Sequence, residues 1–219
     1  MKRLSALFIS WIFAAVATTA PVNSFAAEPQ AGREYTLVEP IQPPAVPGKI
    51  DVVEFFSYGC PHCSDFHPVV NSWANKLPKD VSFRRVPVSF NRPAWARLAA
   101  IFYALETTGD LAKLDTAVFL AIHEQRINFS SDEMIANWAA SKGADKAKVA
   151  EALASFSLQS RIKRGDQEAA AFKIQGVPAI AVGGRYLINN NATESHTALL
   201  QTADALIAKV RNEGAAKGK

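Results

Sequence analysis

The chain has 219 residues, 24 Lys and Arg against 20 Asp and Glu, a formal net charge of +4, and 49% hydrophobic residues. That length suits one well-filled core, or one domain carrying an insertion. The near balance of charge, with no long basic run, excludes nucleic acid as an expected partner. Two cysteines in all exclude a structural disulfide framework.

Residues 1–26 read as a secretory signal peptide. Lys2 and Arg3 come first, then the apolar stretch Leu7–Val16, then small residues, with Ser24 and Ala26 suiting the −3 and −1 positions of a cleavage site. Thr18, Thr19, Pro21 and Asn23 interrupt the apolar stretch, which is too short to serve comfortably as a membrane anchor. Export with cleavage is therefore expected. The mature chain of about 193 residues should be soluble, because no later segment resembles a transmembrane helix.

After an irregular stretch at 27–32, Tyr35-Thr36-Leu37-Val38 predicts a short edge strand, and the proline-rich segment 40–47 an extended connector. Ile50–Phe56, dominated by β-branched and aromatic residues, predicts a mostly buried strand. Cys63, Phe66, Val70, Trp73 and Leu77 then recur at spacings of three and four, one face of a helix running to about Leu77. Pro68 falls inside it and should kink it. Residues 81–88 predict the next strand, which completes a β-α-β unit.

From about Pro93 the pattern is helical for some seventy residues. Candidate helices cover 94–107, 111–125, 132–142, 146–156 and 158–173. Ser130 with Glu133 suggests a capping box, and Gly109 and Gly143 mark turns. Ala179–Val182, the pair Gly183-Gly184 and then residues 185–188 form a good hairpin signal. Ser195 opens a last amphipathic helix to about Arg211, and residues 212–219 should fray.

Cys60-Pro61-His62-Cys63 lies where the second strand gives way to the first helix. Pro61 fits the first helical position, so Cys60 stands at a helix start, where unpaired N–H groups and the peptide dipoles favour a thiolate. His62 adds a further donor or a positive charge. Cys63, one turn further in, should be more buried and less acidic, which makes Cys60 the attacking thiol and Cys63 the resolving one. A structural disulfide across so short a loop would constrain the unfolded chain little. A zinc site would need about four ligands, whereas His62, His67, His123 and His196 are scattered and no second CxxC exists. No metal is expected.

Glu54, in the buried strand between Val53 and Phe55, should also be buried, so that its pKa rises and it can exchange protons with the Cys63 thiol. The competing reading is a surface glutamate on an edge strand.

The order β-α-β, helices, hairpin and last helix is that of an α/β thioredoxin fold, a mixed central sheet flanked by helices, with an inserted all-helical domain. Phe55-Phe56-Ser57-Tyr58-Gly59-Cys60-Pro61-His62-Cys63, together with Gly176-Val177-Pro178-Ala179, closely resembles the DsbA family of bacterial periplasmic thiol:disulfide oxidoreductases. The resemblance spans essentially the whole mature chain. It implies two thioredoxin-like parts, 27–90 and 165–219, around a helical insertion at 91–164. It also implies a cis Pro178 facing Cys60, with the Val177 backbone pairing with an extended substrate. An acid six residues before the first cysteine and a basic residue on the next strand belong to the family's pattern. Here those positions carry Glu54 and Arg85, and an arginine in place of the familiar lysine should leave Glu54 more ionised.

The function this implies is a periplasmic dithiol oxidase that donates its Cys60–Cys63 disulfide to reduced, unfolded exported proteins and is reoxidised by a DsbB-type membrane quinone reductase. No bound cofactor is expected, and the protein should be a monomer. Apolar residues of the insertion should line a shallow groove for unfolded segments. A disulfide isomerase or reductase is the nearest rival, although about 33 residues between the cleavage site and Cys60 leave no room for the dimerisation domain of the periplasmic isomerases. A peptide-binding holdase with incidental cysteines is a more remote rival.

Overall fold

The computed structural model describes residues 28–190 and 195–217. The expected leader lies outside them. Five strands and seven helices follow one another in the described residues. β1 is Tyr35–Leu37, β2 Ile50–Phe56, β3 Val81–Pro87, β4 Ala179–Val182 and β5 Tyr186–Ile188. The helices are α1 Pro61–Ala74, α2 Pro93–Thr108, α3 Leu111–His123, α4 Asp132–Ser141, α5 Lys146–Ala154, α6 Phe156–Ala171 and α7 His196–Lys217.

The sheet order is β1-β5-β4-β2-β3. β2 pairs in parallel with β3 and antiparallel with β4, so it is an interior strand. Its alternation puts Val52 against α1 and α7, with Phe66, Val70, Ala203 and Leu206. Val53 and Phe55 face the other side, with Phe172 and Ala169 of the α6 end. A third core fills the helical block between β3 and α6 and extends to both cysteines. The fold is thus the mixed α/β architecture that the sequence predicts, carrying its helical block between β3 and β4.

α6 is continuous from Phe156 to Ala171 and passes unbroken through residue 164, where the insertion was expected to end. It lies tightly on the sheet. A Cβ at Gly165 would come within 3.0 Å of the Pro87 carbonyl oxygen and of the Tyr103 hydroxyl. The hairpin turn has Gly183 and Gly184 both at positive φ (62° and 69°), closed by the Arg185 N–H donating to the Val182 carbonyl at 3.3 Å. Gly184 also admits the proline-rich connector, since a Cβ there would fall 2.0 Å from the Gln42 carbonyl oxygen.

Three local expectations are corrected. The α4 cap is Ser131, whose side chain accepts from the Met134 N–H at 3.2 Å, so Ser130 and Glu133 form no capping box. α1 ends at Ala74, and Leu77 joins the core from the following turn. α7 continues to Lys217 rather than fraying after Arg211, with Glu213 accepting from the Tyr186 hydroxyl at 2.6 Å and lying 3.5 Å from the Arg185 guanidinium.

The loop after β3 holds Phe90 and Asn91 in succession at positive φ, 48° and 56°. Asp166 of α6 fastens it, accepting from the Ser89 N–H at 2.7 Å, the Phe90 N–H at 3.2 Å and the Ser89 hydroxyl. Such a backbone persists only where its surroundings over-determine it.

Candidate active site

Cys60 sits where β2 has ended and α1 begins, as the N-cap residue, with Pro61 next. It is 6% exposed and Cys63 is 0%, and both are free thiols. The turn that carries Cys60 is held by its N–H donating to the Ser57 carbonyl at 3.1 Å and by Gly59 N–H donating to Ser57 Oγ at 3.2 Å. Gly59 is flanked by Leu98 and Trp95 of α2, within 3.0 and 3.1 Å of where a Cβ would stand.

The two sulfurs, one helical turn apart, have opposite proton affinities. The Cys63 thiol donates to the Cys60 sulfur, the backbone N–H groups of Cys63 and His62 point at it, and the His62 side chain adds positive charge. Against a smaller opposing effect of burial, these lower the Cys60 pKa from about 9 to about 6. Burial pushes the Cys63 thiol up, and the neighbouring Cys60 sulfur and Glu54 carboxylate push it further. His62 itself is exposed at the mouth of the site.

Val177–Pro178 is a cis peptide bond, and the Val177 carbonyl oxygen stands 3.3 Å from Cys60 Sγ, where it accepts the hydrogen of the neutral thiol. Beside this loop opens a groove of about 1170 Å³. His62, the 173–179 segment, β1, β5 and the start of α7 line it, with Ile174, Pro178, Leu187 and Leu199 among its apolar members. The expectation that the helical insertion lines this groove is corrected. Most apolar side chains of α2–α5 pack in their own core, with Leu120 and Met134 left exposed, and the lining of this groove comes from the 173–179 segment, the sheet edge and the start of α7.

Beneath the cysteines lies a buried ionic cluster. Glu54 is 0% exposed on β2, and its Oε2 accepts from Arg85 Nε of β3 at 2.7 Å. Arg85 Nη1 donates to Asp115 Oδ2 on α3, and the guanidinium carbon rests 3.9 Å from the Phe56 ring centre. Asp115 Oδ1 accepts from the Tyr58 hydroxyl at 2.5 Å. His67 of α1 has Nε2 3.8 Å from Asp115 Oδ2 and 3.0 Å from Thr116 Oγ1. Burial holds the His67 imidazole below its ordinary range, hence neutral at physiological pH. His123 donates from Nε2 to the Tyr58 carbonyl at 2.7 Å, fixing that tautomer.

Glu54 therefore sits on an interior strand, as the burial argument predicts, and not at a sheet edge. Burial raises the Glu54 pKa and outweighs the attraction of Arg85, whose charge is divided between two carboxylates. Tyr58 and Asp115 were missed from sequence. Their hydrogen bond joins positions 57 apart, and the available hint was an acid beside the buried stripe Leu114, Val118 and Ala121.

Among the described residues no group of three His, Cys, Asp or Glu is placed to hold a metal ion, and no helix is long and apolar enough to cross a membrane.

Comparison with known proteins places this geometry. Residues 51–201 match the DSBA-like thioredoxin domain. A thiol:disulfide interchange protein DsbA of Azotobacter vinelandii is 40% identical over 186 residues, covering 85% of this chain and 86% of the relative. The protein of the same name from Bordetella parapertussis is 36% identical and covers 94% of this chain and 99% of its own. Among solved structures, Pseudomonas aeruginosa DsbA is similar with a TM-score of 0.82 at 36% identity, over 89% of this chain and 99% of that one.

Proposed function

Since the chain belongs to the DSBA-like thioredoxin domain family and is a thiol:disulfide oxidoreductase, we propose that it works in the periplasm as a dithiol oxidase of reduced exported proteins, using Cys60 as the exchanging sulfur. The oxidised enzyme presents a Cys60–Cys63 disulfide. A substrate thiolate attacks Cys60 Sγ, the bond to Cys63 breaks, and the electron pair leaves on the Cys63 sulfur, which takes up a proton. A second substrate thiolate then attacks the substrate sulfur of the mixed disulfide. Cys60 departs as a thiolate, and the substrate leaves with its disulfide and two electrons fewer.

One observation carries this direction of flow: the attacking position has a pKa of about 6 while its partner three residues on is pushed up. A stabilised Cys60 thiolate stabilises the reduced protein and is a good leaving group, so the disulfide form oxidises its partners. His62 and Pro61 contribute by their place at the helix start. The Val177 carbonyl at 3.3 Å supports backbone pairing of an extended substrate next to Cys60, against Pro178. The apolar groove beside it supports a preference for unfolded segments. Glu54, buried and raised in pKa, is the proton carrier for Cys63.

The protein acts as a monomer without a bound cofactor, residues 91–164 serve as an insertion between two thioredoxin-like parts, and a DsbB-type membrane quinone reductase restores the disulfide. Equilibration against glutathione tests the direction. The protein should be half-reduced by far less reduced glutathione than an unstrained dithiol needs, and a protein that stays oxidised in excess glutathione would be a reductase rather than an oxidase.

A further inference from the structure

Arg85 serves two anions. Its Nε donates to Glu54 Oε2 at 2.7 Å and its Nη1 to Asp115 Oδ2, while the guanidinium carbon lies 3.9, 5.9 and 6.0 Å from the ring centres of Phe56, Phe102 and Phe119 and the buried Nη2 meets no acceptor. Two carboxylates around one guanidinium leave an uncompensated negative charge in a buried place, and one proton removes it. The two acids are unequally equipped to refuse that proton. Asp115 has hydrogen bonds on both oxygens, from the Tyr58 hydroxyl and Arg85, and its side chain is 14% exposed. Glu54 is wholly buried, and its Oε1 meets no donor. An ionised Glu54 would leave a charged oxygen desolvated and unpaired, whereas a proton there removes the charge and leaves only a neutral hydroxyl without a partner, the smaller cost.

We propose that Asp115 is a positioning residue of the redox site: by binding one arm of Arg85 from the helical insertion, it keeps the proton of the cluster on Glu54, available to Cys63. The groups that face Glu54 and Asp115 are Arg85 of β3, Tyr58 after β2, and His67 and Cys63 of α1, while β4 opposes Glu54 with the apolar Ile180. Arg85 is the only cation of that set, since His67 is neutral. The raised proton affinity of Glu54, despite an arginine at 2.7 Å, agrees with a guanidinium that is shared.

The inference rests on Glu54 being the proton carrier, and its test separates the two. In protein carrying 13C-labelled glutamate carboxyls, with Glu54 assigned through Glu54→Gln, the side-chain carboxyl is titrated by NMR. Asp115→Asn leaves Arg85 to Glu54 alone, so the Glu54 midpoint should fall by about one pH unit or more. Asp115→Glu, which keeps the charge, should restore most of the shift. Tyr58→Phe removes the 2.5 Å donor to Asp115, lets that acid compete for the proton, and should lower the Glu54 midpoint in the same direction by less. This variant also reads the idea out should the asparagine protein fail to fold. A Glu54 midpoint that is unchanged or higher in Asp115→Asn or Tyr58→Phe overturns the assignment. If Glu54 responds as stated but Glu54→Gln leaves the pH profile of substrate oxidation intact, the relay reading fails and the assignment of Asp115 stands.

Discussion

The mouth of the site and the cluster beneath it control protons by different means. At the mouth, Cys60 is acidified by one thiol, two backbone N–H groups and one exposed histidine. Underneath, Glu54, Arg85, Asp115 and Tyr58 hold one another through side chains drawn from β2, the loop after it, β3 and α3. Backbone donors are part of the helix and survive side-chain replacement, whereas an ionic cluster fails when one member goes. The contrast predicts tolerance of substitution at the mouth, except at the two sulfurs, and fragility below.

The largest effect should come from the exchanging sulfur. Cys60→Ser should abolish oxidation of a reduced peptide, and any turnover at the wild-type rate would break the mechanism. Next comes Arg85→Met, which strands Glu54 and Asp115 without a cation and should cost about 3–5 kcal/mol in urea unfolding. Adding Asp115→Asn, which removes the acid left charged, should recover part of that loss. A cost under about 1 kcal/mol would mean that the cluster is no more fragile than a surface pair.

Stability against pH separates the two regions by sign. Cys60 titrates near 6 in the folded reduced protein and near 9 when unfolded. Its contribution is therefore present above pH 9 and is lost as pH falls through 6, so the reduced form should gain stability on the oxidised form between those values. Glu54 runs the opposite way. Its folded pKa lies above the ordinary 4.5, so its contribution is complete below 4.5 and is lost as pH rises through the raised value. Glu54→Gln should flatten that limb, and a limb that persists unchanged would assign it elsewhere. Smallest of all, His62→Ala should raise the Cys60 midpoint by less than about one unit, read by thiolate absorbance, because the Cys63 thiol and both N–H groups remain.

How legible each region was follows from the range of the contacts that build it. The strand Ile50–Phe56, the cysteine turn and the Gly183-Gly184 hairpin depend on neighbours in sequence, and alternation, a proline at the first helical position and a glycine pair report them. Glu54 was legible for the same reason, as an acid inside an apolar strand. Asp115 was not, because its partners Tyr58 and Arg85 lie 57 and 30 positions away. The groove was assigned to the wrong walls because helical periodicity marks a face as apolar without saying whether another helix covers it. The one-residue slip from Ser130 to Ser131 has a simpler origin, two adjacent serines that are equally able to cap.

Two of the polar fastenings between the sheet and the helices run through β3 and the loop just past its end. Arg85, within the strand, reaches Asp115 of α3, and Ser89 and Phe90, just past its end, are gripped by Asp166 of α6. β3 is thus one line along which the helices are fastened to the sheet, and Tyr58 after β2, bound to Asp115 and His123 of α3, is another. A transplant of residues 91–164 onto another thioredoxin-like scaffold would arrive with one carboxylate and leave the other behind. To dock in the same pose, the graft must run on through Asp166, and its host must offer an arginine at the place of Arg85.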